Sequence, residues 1–224
     1  IEAAPERIEV KRAIYQTVEP RLKDGALLAT NTSALPLEQL SAGLADPSRF
    51  VGLHFFNPVS RMQLVEIVSH PDAGDETLRR ATAFAVELSR LPAPVRSAPG
   101  FLVNRALTPY MAEALLMVGE GVPKERIDAR AEAFGMPMGP VELADRVGLD
   151  IALEVSASLR EGLDGDFPET PAWLVQMVRE GRLGAKTNGG LYEYEGGKPK
   201  KIHVDAIPDL SLIHISEPTR QEAI

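Results

Sequence analysis

The sequence predicts an α/β layer followed by an all-α region. Three observations carry that expectation. Up to about residue 96, short apolar runs alternate with amphipathic stretches, the pattern of strands and helices in one layered sheet. From Pro99 to about residue 182, nearly every stretch has helical spacing. Proline, glycine and asparagine punctuate the boundaries between these runs.

Residues 5–23 predict a helix, with Pro5 suited to its first turn and Ile8, Ala13, Ile14 and Val18 near one face. GALLAT (25–30) is short, apolar and preceded by a glycine, as a buried strand would be. NTSALPLEQLS then gives a turn and a short helix. FVGLHFF (50–56) predicts a second strand ended by Asn57-Pro58, and MQLVEIVS (62–69) a third. HPDAGDETLRRATAFAVELSR opens with capping residues and places Leu78, Ala81, Ala85 and Leu88 on one helical face. APVRS (93–97) predicts a last strand. Beyond it, Val103, Ala106, Leu107, Tyr110, Ala114 and Val118 form an apolar helical face. VPKERIDARAEAF, PVELADRVGLDIALEV and PAWLVQMVREG continue in the same way. The expected division is residues 1–96, 97–200 and a closing segment 201–224.

The 224 residues carry a formal charge of −8, which argues against non-specific nucleic-acid binding. Cysteine is absent, which removes disulfides, thiolate metal sites and cysteine nucleophiles together, and no metal centre is expected. The apolar runs are too short for a membrane span.

Two polar residues stand out in GLHFFNPVSRMQLVEIV (52–68). On a strand, Leu64, Glu66 and Val68 share a face, so Glu66 is a carboxylate among apolar neighbours. Either that face lies in water, or Glu66 meets His54 from the neighbouring strand. In the second case the carboxylate fixes the imidazole tautomer and makes the other ring nitrogen a base. Thr32 and Ser33 follow a predicted strand at the carboxyl edge, where open α/β sheets bind ligands, although Ser33 also suits a helix cap. Asn104, near a helix start, is either a functional amide or a structural one bonding a nearby loop.

ATNTSALP, GLHFFNPVSRMQLVEIV, PGFLVNRALTPYMAEAL and FGMPMGPVELADRVGLD, in this order and spacing, resemble the L-3-hydroxyacyl-CoA dehydrogenase family, and GAKTNGGLYEY resembles its closing motif. The likeness runs from Ile1 to about Lys200. It implies the C-terminal part of a Rossmann-type NAD-binding domain followed by a helical dimerisation and substrate domain. It further implies oxidation of a 3-hydroxyacyl-CoA to a 3-ketoacyl-CoA in fatty-acid β-oxidation, with NAD as cofactor and a cytoplasmic location. The family's catalytic histidine falls on His54, its orienting glutamate on Glu66, its serine on Ser33 and its substrate-binding asparagine on Asn104. Ser33 would reach both substrate and nicotinamide. Its further NAD contacts fall on Ala4, Pro5, Glu6, Lys11, Asn57 and Lys186. The family's glycine-rich turn does not occur in these residues, so on their own they are expected to bind NAD weakly and to be inactive.

EYEGGKPKKIHVDAIPDL is similar to the multifunctional fatty-acid oxidation alpha subunit, which implies a thiolase-containing complex. A free-standing 3-hydroxybutyryl-CoA dehydrogenase, a homodimer, is the alternative. A non-catalytic crystallin-like relative is the reading of another class, and the presence of Ser33, His54, Glu66 and Asn104 argues against it. LSLIHISEPTR (210–220) resembles a translated sequencing-library adapter, so His214 is expected to carry no function.

Overall fold

A computed structural model describes residues 1–162 and 169–202. The stretch 210–220, His214 with it, lies outside the described residues. The chain forms two compact units: Ile1–Tyr110 with Ile151–Thr170, and Met111–Asp150 with the residues from Pro171 onward.

In the first unit, β1 (Leu28–Thr30), β2 (Phe50–Phe55), β3 (Leu64–Ser69) and β4 (Leu91–Arg96) form one sheet in that order. Helix α1 (Ile8–Val18) precedes β1, α2 (Leu37–Ser41) follows it, and α3 (Asp75–Glu87) joins β3 to β4. The predicted helix 5–23 is therefore shorter than expected. Its last turn becomes a 3-10 turn at Glu19–Arg21, because Pro20 has no amide hydrogen to continue the α-helical ladder.

β1 and β2 run parallel, as do β3 and β4, whereas β2 and β3 are antiparallel. The reversal follows from chain length. Residues 56–63 are too few for the crossover that a parallel partner requires, so the chain turns back on itself. β4 starts at Leu91, two residues before the predicted strand, and takes in Pro92 and Pro94. The Leu91 amide donates to the Gln63 carbonyl (2.8 Å), so the alternate residues 92 and 94 aim away from β3. An edge strand accepts proline at such positions.

Strand alternation builds two cores. Ala29, Val51, Leu53, Val65 and Ile67 face Ala81 and Ala85 of α3. Leu28, Phe50 and Val68 face Tyr15 of α1, Leu37 and Leu40 of α2, and Phe101. Gly52 sits in that second face because the sheet is tight there: a Cβ would lie 2.7 Å from the Val68 Cβ. Both faces of β3 are thus covered, which overturns the reading that Glu66 faces water.

Ahead of α1, Glu2 bridges Thr30 in parallel, with its amide on the Ala29 carbonyl (2.7 Å) and its carbonyl accepting from Asn31 (2.8 Å). The buried Glu2 carboxylate accepts from Lys11 Nζ (2.9 Å), Tyr15 Oη (2.7 Å), Thr30 Oγ1 (2.8 Å) and the Ala4 amide. Burial alone would raise its pKa, but these four donors outweigh burial and hold it below the usual glutamate value. Burial pushes the Tyr15 phenol up, so it stays a donor.

The second unit contains α5 (Lys124–Phe134), α6 (Pro140–Val147), α8 (Ala172–Arg179) and a short hairpin, β5 (Tyr194–Glu195) and β6 (Lys198–Pro199). Helices α4 (Val103–Gly119) and α7 (Leu149–Gly162) each contribute residues to both units. Asp128 of α5 is fully buried and accepts from the Val141 and Glu142 amides (2.8 and 3.1 Å), satisfying two donors that α6 cannot satisfy internally. It also accepts from Tyr192 Oη (2.9 Å). Asp145 of α6 accepts from the Leu191 and Tyr192 amides (2.8 and 2.7 Å), which fixes the closing GGLYEY segment. Burial raises the Asp145 pKa despite those bonds.

No helix among the described residues is long and apolar enough to cross a membrane.

The Glu2 cluster gives a pH-dependent prediction. A lowered carboxylate pKa contributes stability that is fully present above the unfolded value of 4.5 and is lost as pH falls through the folded value. Glu2→Gln is expected to cost about 2 kcal/mol or more at neutral pH, since it strips a buried ammonium of the nearer of its two paired charges. The gap between wild type and variant should close in acid. Urea melts from pH 7 down to strong acid test this; a gap independent of pH would contradict it.

Candidate active site

The pairing register of β2 and β3 sets His54 directly opposite Glu66. His54 Nδ1 lies 2.6 Å from Glu66 Oε2, with the two residues 4% and 0% exposed. A carboxylate can only accept, so Nδ1 carries the hydrogen and the ring lone pair sits on Nε2. That Nε2 makes no hydrogen bond with any described residue. Phe56 lies tilted against the imidazole (ring centroids 4.4 Å apart) and Phe101 meets it edge-on (5.7 Å).

The second oxygen of Glu66 is occupied as well. Oε1 accepts from the Leu102 and Val103 amides, both at 2.9 Å. These belong to the start of α4, where unpaired amides and the helix dipole favour a carboxylate. The chain reaches that position through two successive left-handed residues, Gly100 (φ +68°) and Phe101 (φ +50°). Gly100 is favoured by its φ, and a Cβ there would lie 2.8 Å from Leu159 Cδ2, which would have to shift.

Ser33 lies in residues 31–34, the loop after β1. Glu6 Oε1 accepts from the Thr32 hydroxyl and from the Ser33 and Ala34 amides (2.7 and 3.2 Å). The Ser33 carbonyl accepts from Asn104 Nδ2 (3.2 Å). Ser33 is not a helix cap: α2 begins after Pro36, and its Leu37 amide donates to Ser97 Oγ (3.0 Å). The Ser33 hydroxyl itself makes no hydrogen bond with any described residue. Asn104 does bond a nearby loop, as its structural alternative had it, and that loop is the one carrying Ser33.

The remaining expected contacts fall in different settings. Pro5 and Asn57 are exposed, and Asn57 follows the carboxyl end of β2, the same edge from which the Ser33 loop leaves β1. Ala4 offers its carbonyl to Lys11 (3.0 Å). Lys11 is 0% exposed and bonded inward. Lys186 belongs to the second unit, where it pairs with Asp150 (2.5 and 2.6 Å to the two oxygens). Groups left open along the first unit's carboxyl edge include the Ser33 hydroxyl, the Asn57 amide and main chain around Pro5. Such a donor set suits the carboxamide and ribose hydroxyls of a nicotinamide nucleoside. No group of three or more metal-ligating side chains occurs among the described residues.

Sequence reasoning missed Glu2, Asn31 and the two α4 amides. Asn31 Oδ1 accepts from the Phe55 amide (2.9 Å), tying the end of β1 to the end of β2. An asparagine just after a strand is the local signal that could have found it. Main-chain donors leave no trace in side-chain identity.

Comparison with known proteins gives the chain's relatives. A family model described as 3-hydroxyacyl-CoA dehydrogenase, NAD binding domain, matches residues 1–98, and its C-terminal domain counterpart matches residues 100–194. The fatty acid oxidation complex subunit alpha of Psychrobacter cryohalolentis is 39% identical over 214 residues, covering 94% of this chain and 30% of that protein. The namesake from Vibrio cholerae is 37% identical over 202 residues, covering 90% and 28%. Among solved structures, M. tuberculosis FadB2 is 35% identical with a TM-score of 0.83, covering 87% of this chain and 70% of that one. (S)-3-hydroxybutyryl-CoA dehydrogenase from Ralstonia eutropha is 35% identical with a TM-score of 0.82, covering 87% and 69%. The chain thus spans about 30% of the length of the alpha subunits it matches.

Gly100→Ala is expected to destabilise the protein by about 1–3 kcal/mol, through the strained φ and the contact with Leu159. Protection of the Leu102 and Val103 amides from hydrogen exchange should fall further than global stability does, as they detach from Glu66. Unchanged protection at those two amides would show that the left-handed turn does not hold them.

Proposed function

The chain belongs to the 3-hydroxyacyl-CoA dehydrogenase family, and from that premise we propose that it oxidises an L-3-hydroxyacyl-CoA to the 3-ketoacyl-CoA with NAD. The observation that carries the reading is the His54–Glu66 pair with Nε2 left open, in the same unit as a Ser33–Asn104 contact.

His54 Nε2 takes the proton of the substrate 3-hydroxyl as the C3–O bond becomes a carbonyl. Bound NAD supplies the acceptor for the hydride that leaves C3. The imidazolium so formed keeps its Nδ1 hydrogen on Glu66, and the opposite charge 2.6 Å away stabilises it. Glu66 can hold that position because its other oxygen is fixed by the two α4 amides. The Ser33 hydroxyl and the remaining hydrogen-bonding capacity of the Asn104 amide orient the substrate oxygen. Ala4, Pro5 and Asn57 contribute cofactor contacts at the carboxyl edge. Orientation of this kind can supply a large part of a catalytic rate.

The resemblance to alpha subunits of the fatty acid oxidation complex supports a place in fatty-acid oxidation as part of a complex. The likeness to 3-hydroxybutyryl-CoA dehydrogenase supports a second reading, a free-standing short-chain enzyme. Turnover across acyl lengths, with the assembly size measured alongside, separates the two. Broad chain-length tolerance in a large assembly favours the first.

The test is NADH formation by the full-length gene product with L- and D-3-hydroxyacyl-CoAs. Turnover is expected for the L series alone. His54→Ala and Glu66→Gln should each lower kcat by about 10²–10⁴-fold. Full activity in both variants would refute the mechanism.

A further inference from the structure

Lys11 and Glu6 are the two charged residues of the first unit that family resemblance would set against the cofactor. Their geometry points elsewhere. Lys11 is fully buried. Its ammonium donates to Glu2 Oε1 (2.9 Å) and the Ala4 carbonyl (3.0 Å), and it forms an ion pair with Glu6 Oε2 (3.4 Å). Its charge is matched inside the fold. Glu6, half-buried, turns Oε2 to Lys11 and gives Oε1 to the Thr32 hydroxyl and the Ser33 and Ala34 amides. Thr32 Oγ1 accepts in turn from the Leu35 amide (3.0 Å). Ser33 is thereby held through its amide by Glu6 and through its carbonyl by Asn104, while its hydroxyl stays uncommitted. A side chain left free on a backbone fixed at both ends is the arrangement expected where a hydroxyl must be aimed.

We propose that Glu6, braced by Lys11 against Glu2, is a positioning residue that clamps the Ser33 loop, and that neither charge serves chiefly as a direct cofactor contact. The proposal rests on the dehydrogenase reading for its catalytic consequence. Lys11 acts on the loop only through Glu6, and Glu2 neutralises and orients Lys11. The loop that aims Ser33 is therefore anchored to the strand end at Glu2 and to the first turns of α1.

The experiment uses Glu6→Ala in the full-length protein, because it leaves the buried Lys11–Glu2 pair intact. Lys11→Met is the second variant, and Ser33→Ala supplies the background for a double-mutant cycle. Without cofactor, Glu6→Ala should reduce exchange protection of the Ser33 and Ala34 amides by about tenfold or more. With substrate and cofactor, kcat should fall by about tenfold or more, while the NAD dissociation constant measured by calorimetry changes less than about threefold. In the Ser33→Ala background, adding Glu6→Ala should cost less than about threefold in kcat, since the hydroxyl it aims is already gone. Lys11→Met should follow the same pattern.

A weakened NAD dissociation constant with kcat unchanged would overturn the proposal in favour of direct contact. So would equal losses in the wild-type and Ser33→Ala backgrounds, the mark of a purely structural role. If the wild-type protein gives no NADH, the dehydrogenase reading fails by itself. Amide protection then still decides the clamp, with its retention in Glu6→Ala overturning it and its loss supporting it.

Discussion

The Glu66 carboxylate is the constraint around which the first unit is arranged. One oxygen holds the imidazole of the neighbouring strand, and the other ends the unpaired amides of α4. A carboxylate buried this deeply is costly unless its acceptor sites are filled. Here the bonds that fill them join a sheet to a helix. The strand register, the left-handed turn at Gly100 and Phe101, and the start of α4 must all agree for this one side chain to be satisfied. Asn104 lies in the first turn of that same helix, so its reach to the Ser33 carbonyl depends on the same agreement.

Much of this was legible in the sequence, for reasons that are local. Alternation in 50–56 and 62–69 gives strands with His54 and Glu66 on them, and the 3.6-residue spacing of Leu78, Ala81 and Ala85 gives α3. What was not legible depends on residues distant in sequence. Whether Glu66 faced water was decided by residues 101–103, far along the chain. The resemblance set Lys11 against the cofactor, and its pairing with Glu2 and Glu6 depends on how the residues before α1 fold back onto that helix. The early start of β4 was hidden because proline reads as a strand breaker, and only an edge position removes the objection.

The second unit uses buried acids in another way. Asp128 and Asp145 carry no reacting group; they replace missing helix and strand partners for the amides of α6 and the closing segment. Lys201 answers the accumulated negative charge, reaching Glu142 (2.8 Å), Glu132 (3.2 Å) and Asp128 (3.4 Å). Burial works against the Lys201 ammonium, but these acids outweigh it and raise its pKa. Burial, reinforced by Asp128, drives the Tyr192 phenol upward, which keeps it a hydrogen donor to that carboxylate. The result is a packed charge cluster in which each acid has a named donor.

The prolines of β4 have a consequence for self-association. An unprotected sheet edge is a template on which another chain can add a strand, and repeated addition leads to aggregates. At β4 an incoming strand would meet two positions with no amide hydrogen to offer, and so would bury carbonyls of its own without partners. Leu91 is exposed at the start of that edge, so the apolar invitation to stack is present while the hydrogen-bonding pattern refuses it. The same residues that obscured the strand in the sequence thus make the sheet terminate in one direction, a solubility device written into the backbone rather than into surface charge.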